Sequence, residues 1–156
     1  MDKFRLAVET LAKQKKSLAT AESCTGGLLG KLLTDVPGAS RVYLGGVISY
    51  AYEVKEKLLG VDGKLLEEKG AVCEEVALQM ARGAREALRA DFALSTTGNA
   101  GPGTDPLNPN VGEIFVALSY EGGEVCHRLK LQGSREENRL AACHAVMELL
   151  LENLNA

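Results

Sequence analysis

The chain has 156 residues, 46% hydrophobic and 25% charged, with a formal net charge of −3. This is the range of one globular domain around one core, and the interleaved acidic and basic residues argue against nucleic acid as a partner. No apolar stretch reaches the roughly 20 residues of a membrane span, and the opening MDKFRLAVETLAKQKK lacks the apolar segment of a signal peptide, so a cytoplasmic protein without a membrane partner is expected.

Residues 4–16 carry apolar positions at helical spacing and end in a lysine-rich turn, predicting a first helix. A short strand over 17–22 follows, then a helix from CTGGLLGKLLTDV, whose Leu28, Leu29, Leu32 and Leu33 repeat at helical intervals, so Ser23 falls where strand passes to helix. VPGAS reads as a turn and VYLGGVISY (42–50) as a mostly buried strand, because it is continuously apolar, β-branched and aromatic. Helices are predicted over 53–59, 64–69 and 74–89, and a buried strand over 92–98. NAGPGTDPLNPN (99–110) crowds Gly, Pro and Asn into the one long loop, a place where function often resides. GEIFVALSY and EVCHRLKL form a hairpin about Glu-Gly-Gly, and a helix capped by Ser134 closes the chain. Strands alternating with helices, plus a hairpin, predict a single three-layer α/β/α domain with a mixed sheet.

The four cysteines show neither CxxC spacing nor a His pairing suited to zinc, and read as reduced thiols. His127 and His144 read as structural. Three polar turns fit the ligand-binding end of such a sheet: ESCTGG, STTGNAGPG and QGSREE. In the first, a serine before Thr25, Gly26 and Gly27 meets backbone N–H groups suited to an oxyanion, although Ser23 or Thr25 would serve equally as a helix cap. Cys24 reads as an apolar neighbour on a buried helix face. A serine nucleophile needs a base; without a suitable histidine, that is a lysine able to lose its proton in a dry pocket. Lys55, just after the strand ending at Tyr50, is the candidate, while Lys57 and Lys64 are expected to face water. Arg135, at the start of the last helix, can add its guanidinium to the helix dipole in gripping a phosphate, or lie exposed on the surface.

LATAESCTGG, GGVISYAYEVKEKLLGV, TTGNAGPG with VGEIFVAL, and GSREENR together resemble the CinA C-terminal-domain family over about residues 11–151. The resemblance implies hydrolysis of nicotinamide mononucleotide to nicotinate mononucleotide and ammonia, a pyridine-nucleotide salvage step, without metal or organic cofactor. It implies Ser23 as nucleophile, Lys55 as its activating base and Tyr50 beside both. It assigns Thr97, Gly98, Ala100 and Gly101 to the ligand loop and Arg135 to the nucleotide phosphate; Thr25, Gly26 and Gly27 join the substrate-binding set. The chain departs from the family's usual pattern at Tyr52, Asn99 and Ser134, where asparagine, an apolar residue and aspartate are common. A stand-alone deamidase is expected, acting on a small-molecule substrate as a homodimer or other homo-oligomer. The alternative is a non-catalytic nucleotide-binding or regulatory module linked to competence or the DNA-damage response.

Overall fold

A computed structural model describes residues 2–154. Five strands form one mixed sheet in the order β2-β1-β3-β4-β5. Their ranges are β1 Leu18–Glu22, β2 Tyr43–Ile48, β3 Phe92–Gly98, β4 Glu113–Tyr120 and β5 Gly123–Lys130. The first three run parallel, and β4 and β5 add antiparallel neighbours. The helices are α1 Lys3–Gln14, α2 Leu28–Thr34, α3 Tyr52–Leu59, α4 Gly63–Lys69, α5 Glu74–Leu88 and α6 Arg135–Leu154. This is the three-layer arrangement predicted from the sequence.

Strand alternation sorts the side chains into two faces. Leu18, Leu94, Ile114, Val116 and Leu118 point to one, where they join Phe4, Val8 and Leu11 of α1, Leu29 and Leu33 of α2, and the apolar side of α6. The other face offers mainly alanines, Ala19, Ala21 and Ala93, against Val76, Met80 and Ala84 of α5. Small residues let α5 lie close to the sheet, and the helix is equally tight against α3: a Cβ on Gly83 would stand 1.9 Å from the Leu59 carbonyl oxygen. Burial of these two apolar layers supplies most of the folding drive, at about 25 cal/mol per Å² removed from water.

Two expectations are corrected. The apolar run over 42–50 is not mostly buried. It forms an edge strand whose residues alternate between half-buried and exposed, with Leu44 53% and Ile48 56% exposed. Continuous hydrophobicity does not distinguish an edge from a centre; only β1 pairs with β2 among the described residues. The second correction is α2, which begins at Leu28 rather than directly after Ser23. Gly26 and Gly27 have φ of 53° and 101°, left-handed values that open a turn between strand and helix. Among the described residues no helix is long and apolar enough to cross a membrane.

β1 and β3 lie side by side and parallel, yet β1 connects outward to β2 while β3 leads to β4 on the opposite side. Such a divergence opens a crevice at the carboxyl ends of the two strands. The turn at Ser23 and the loop from Asn99 both leave from that crevice.

Candidate active site

Three strand ends build the site. The Ser23 N–H donates to the Thr96 carbonyl at 2.9 Å and the Ser49 N–H to the Glu22 carbonyl at 2.7 Å, so β1, β2 and β3 stay in register up to the point where they part. From the end of β2 the chain turns through Ser49, Tyr50 and Ala51 into α3, which swings Lys55 back beneath the serine. Lys55 is fully buried, with 0% exposure. Its Nζ lies 2.9 Å from Ser23 Oγ, 2.7 Å from the Ser49 carbonyl oxygen and 3.1 Å from that of Tyr50.

No carboxylate pairs with Lys55 within 4 Å among the described residues. Burial without a counter-ion disfavours the ammonium form, and the Lys55 pKa falls from 10.5 to about 8. Once neutral, the amine has two N–H bonds to give to the two carbonyls and one lone pair to turn toward the serine hydroxyl. That is the geometry of a general base acting on a nucleophile. Cys24, beside the serine, is buried, and burial pushes its thiol up to about 12, so it stays protonated and unreactive near neutral pH.

The turn after Ser23 is fixed by charges that the sequence did not single out. The Glu22 side chain, 3% exposed, accepts from Thr25 Oγ1 at 2.6 Å and from the N–H groups of Gly27, Leu29 and Gly30 at 3.2, 2.8 and 3.1 Å. The N-terminus of α2 is therefore already occupied by a carboxylate, as favoured by its dipole. This corrects the expectation that the helix start serves an oxyanion. The Gly26 N–H is spent on the Ser23 carbonyl and that of Leu28 on the Thr25 carbonyl, at 3.1 and 2.9 Å. The N–H groups of Cys24 and Thr25 are the ones in this turn given to none of these acceptors. Arg139, on α6, donates to the carbonyls of Cys24 and Thr25 at 3.0 and 2.8 Å. In a trans peptide the N–H points opposite the C=O, so fixing the Cys24 carbonyl also fixes the direction of the Thr25 N–H.

A cavity of about 330 Å³ opens over Ser23 and Lys55, walled by Tyr50, Tyr52, Thr97, Gly98, Ala100, Asp105 and Arg135 among others. Of the residues singled out from the sequence, Ser23, Lys55, Tyr50, Thr97, Gly98, Ala100 and Arg135 thus meet at one site. Thr25, Gly26 and Gly27 do not line it: Thr25 is wholly buried between Glu22 and Thr96, and the two glycines shape the turn. Gly101 contributes through its carbonyl, which accepts from Arg135 Nη1 at 2.9 Å. Tyr50 is 63% exposed and its hydroxyl accepts from Arg135 Nη2 at 3.3 Å, so the hydroxyl faces Arg135 while the backbone carbonyl serves Lys55.

Ser134 caps the start of α6 as expected, and the cap is reciprocal. Ser134 Oγ accepts from the Glu137 N–H at 3.1 Å and Glu137 Oε1 from the Ser134 N–H at 2.9 Å, a reciprocal capping box. That bond network holds the Glu137 carboxyl below its ordinary pKa. A helix start closed this way, with Glu136 and Glu137 in its first turn, has little left for an anion. The capping box uses the Ser134 and Glu137 N–H groups, and the Arg135 guanidinium is the cation that this end of α6 brings to the cavity.

Sequence reasoning passed over Ser49, Glu22, Arg139 and Asp105. For Glu22 and Arg139 a signal existed, since both stand inside the segments ESCTGG and GSREENR that were singled out. Asp105 was one acid in an irregular loop. Among the described residues no group of three or more His, Cys, Asp or Glu side chains is placed to hold a metal, and all four cysteines are free.

The comparisons with known proteins agree with this architecture. Residues 3–154 match the model of the CinA C-terminal domain. The chain is 46% identical over 139 residues to a CinA-like protein of Desulfotalea psychrophila, covering 88% of this chain and 34% of that protein. It is likewise 46% identical over 147 residues to a CinA-like protein of Geotalea daltonii, covering 92% and 35%. The chain therefore spans about a third of the length of these relatives. Among solved structures it resembles the competence/damage inducible protein CihA of Agrobacterium tumefaciens, with 34% identity, a TM-score of 0.90, and 100% and 98% of the two chains covered. A CinA superfamily protein from Escherichia coli gives 30% identity and a TM-score of 0.92, covering 96% and 87%. By the match along nearly all of its length and by these relatives, the chain belongs to the CinA C-terminal-domain family.

Proposed function

We propose that the protein is an amidohydrolase that converts nicotinamide mononucleotide and water to nicotinate mononucleotide and ammonia. The observation that carries this reading is the buried Lys55 amine 2.9 Å from Ser23 Oγ, with two backbone carbonyls to receive its N–H bonds. Neutral Lys55 takes the serine proton as Oγ attacks the carboxamide carbon, and the N–H of Cys24, which lines the cavity beside Ser23, is the backbone donor offered to the oxyanion. Collapse of the tetrahedral adduct breaks the C–N bond, and Lys55 returns its proton to the departing nitrogen, which leaves as ammonia. Water, deprotonated by the same amine, then hydrolyses the acyl-serine ester. A pyridinium ring lying beside Lys55 further disfavours the ammonium form, since like charges repel, and withdraws electrons from the amide under attack. Arg135, held by the Gly101 carbonyl and the Tyr50 hydroxyl, is the group that meets the phosphate.

The test is to incubate the purified chain with nicotinamide mononucleotide and measure ammonia. Release that depends on Ser23 supports the reading. Binding of the mononucleotide with no release would instead favour a nucleotide-binding module without catalysis.

A further inference from the structure

The cavity wall contains a carboxylate that the hydrolytic steps above do not use. Asp105 Oδ2 accepts from the Tyr52 hydroxyl and from the Ala71 N–H at 3.3 Å; Oδ1 accepts from the Leu107 N–H at 3.0 Å. Its own N–H donates to Asn99 Oδ1 at 2.8 Å, and Asn99 Nδ2 in turn donates to the Asn108 and Asn110 carbonyls at 3.0 and 3.1 Å. Every group holding the carboxylate is neutral, and among the described residues no cation pairs with it within 4 Å. The fit is close as well: a Cβ on Gly70 would stand 2.3 Å from Asp105 Oδ1. Burial first and then Asp105 raise the Tyr52 pKa, and Asp105 counters a small part of the fall at Lys55.

Arg135 is its counterpart on the other side. Its guanidinium donates to a carbonyl and a phenol and likewise has no ion-pair partner among the described residues. Asp105 is held by residues from the α3, α4 and α5 side of the sheet and Arg135 belongs to α6 on the other, so two unpaired charges of opposite sign face one cavity that contains Ser23. Asp105 is half-buried and Arg135 stands exposed at the rim, and a partly buried carboxylate without a counter-ion favours a ligand that supplies one.

We propose that Asp105 is a specificity-determining residue that selects, for the Ser23–Lys55 centre, carboxamides whose acyl ring carries a positive charge. The proposal rests on the reading of Ser23 and Lys55 as an amide-hydrolysing pair, but its test is one of binding and does not require turnover. The ligands are nicotinamide mononucleotide and its isostere with a neutral phenyl ring in place of the pyridinium, both measured by calorimetry on the full chain carrying Ser23→Ala. The cationic ligand is expected to bind about tenfold more tightly or better, as one desolvated charge pair allows. Adding Asp105→Asn should reduce that preference to about twofold or less while leaving affinity for the neutral ligand nearly unchanged. Should Asp105→Asn fold poorly, Asp105→Ser keeps a hydroxyl to accept from Leu107 and is expected to lose the preference equally. Equal affinity for the two ligands, a preference that survives loss of the carboxylate, or binding of neither would overturn the proposal. Ammonia release by the unaltered protein is followed in parallel. A preference without release refutes the hydrolytic reading and leaves charge selection standing, and release without preference does the reverse.

Discussion

The turn after β1 and the loop after β3 leave the same crevice, yet they are held in different ways. Residues 21–25 are buried, and the turn is tied by a carboxylate and a guanidinium, with Glu22 accepting four hydrogen bonds and Arg139 donating two. Charge-assisted bonds in a buried setting are short and strong. The loop over 99–110 is fastened inside by the amides of Asn99 and Asn108 and at its rim by the half-buried Asp105 carboxylate and one Arg135 bond to Gly101, and Pro102, Gly103, Thr104, Pro106 and Leu107 stay exposed. In the proposed reaction the buried segment carries the attacking oxygen, and the exposed one forms part of the cavity wall. An oxygen misplaced by an ångström can cost a hundredfold in rate, whereas a recognition wall tolerates adjustment.

The largest expected effect breaks the rigid side at its reacting atom. Ser23→Ala should lower kcat for ammonia release by about 10^4-fold or more, since loss of a nucleophile removes the covalent route. Its urea midpoint should match that of the parent. Substantial turnover by the folded variant would remove the acyl-enzyme.

Next comes Lys55→Met, with a loss of about 10^2- to 10^4-fold, the range of general-base catalysis. Because the base is the deprotonated amine, kcat/KM of the parent should rise with pH and level off above about 8. The same shift has a stability consequence of definite sign. The folded pKa of about 8 lies below the ordinary 10.5, so between those values the unfolded chain holds more protons and stability rises with pH. Denaturant unfolding at pH 7 and 10.5 should show the parent gaining about 3 kcal/mol relative to Lys55→Met across that window. A pH-independent difference would mean that Lys55 is not shifted.

Third is the clamp beneath the nucleophile. Glu22→Ala leaves the Gly27, Leu29 and Gly30 N–H groups and the Thr25 hydroxyl without their carboxylate, at an expected cost of about 2–4 kcal/mol in urea unfolding. Asn99→Ala, the corresponding cut in the loop, should cost less, about 1–3 kcal/mol, because its bonds are neutral. If the loop variant proves the less stable, the contrast between the two regions is wrong.

What the sequence revealed follows the same division. The strand over 92–98, the helix over 74–88 and the cap at Ser134 were legible because their signals are local: a buried apolar run, helical periodicity and a hydroxyl before a helix. Ser23 and Lys55 were picked out through a turn, a strand end and a family pattern, and their 2.9 Å separation follows from the parallel pairing of β1 with β2. Glu22 was not legible as a cap, since its acceptor role depends on two left-handed glycines folding a helix start back over it. Asp105 was less so, because Tyr52 and Ala71 stand 53 and 34 residues away in the chain. Tyr52 and Asn99, read only as departures from the family's pattern, are both direct hydrogen-bond partners of Asp105.

The smallest expected change in rate belongs to the ligand side and separates a nucleotide enzyme from a general amidase. Arg135 donates to the Gly101 carbonyl in the loop and to the Tyr50 hydroxyl, leaving its remaining N–H groups for the cavity. In the proposed reaction the guanidinium is the group assigned to the phosphate, since the capping box and the acids Glu136 and Glu137 occupy the start of α6. A lost charge-assisted contact costs about 1.5 to 3 kcal/mol, so Arg135→Ala should lower kcat/KM for the mononucleotide by roughly ten- to a hundredfold. The parent should strongly prefer the mononucleotide to nicotinamide riboside, and the variant should lose little on the riboside. Steady-state kinetics of both proteins on both substrates decides the matter. An equal loss on the two would mean that Arg135 serves the loop through Gly101 and Tyr50, which would move it from the side that recognises the ligand to the side that holds the site in shape.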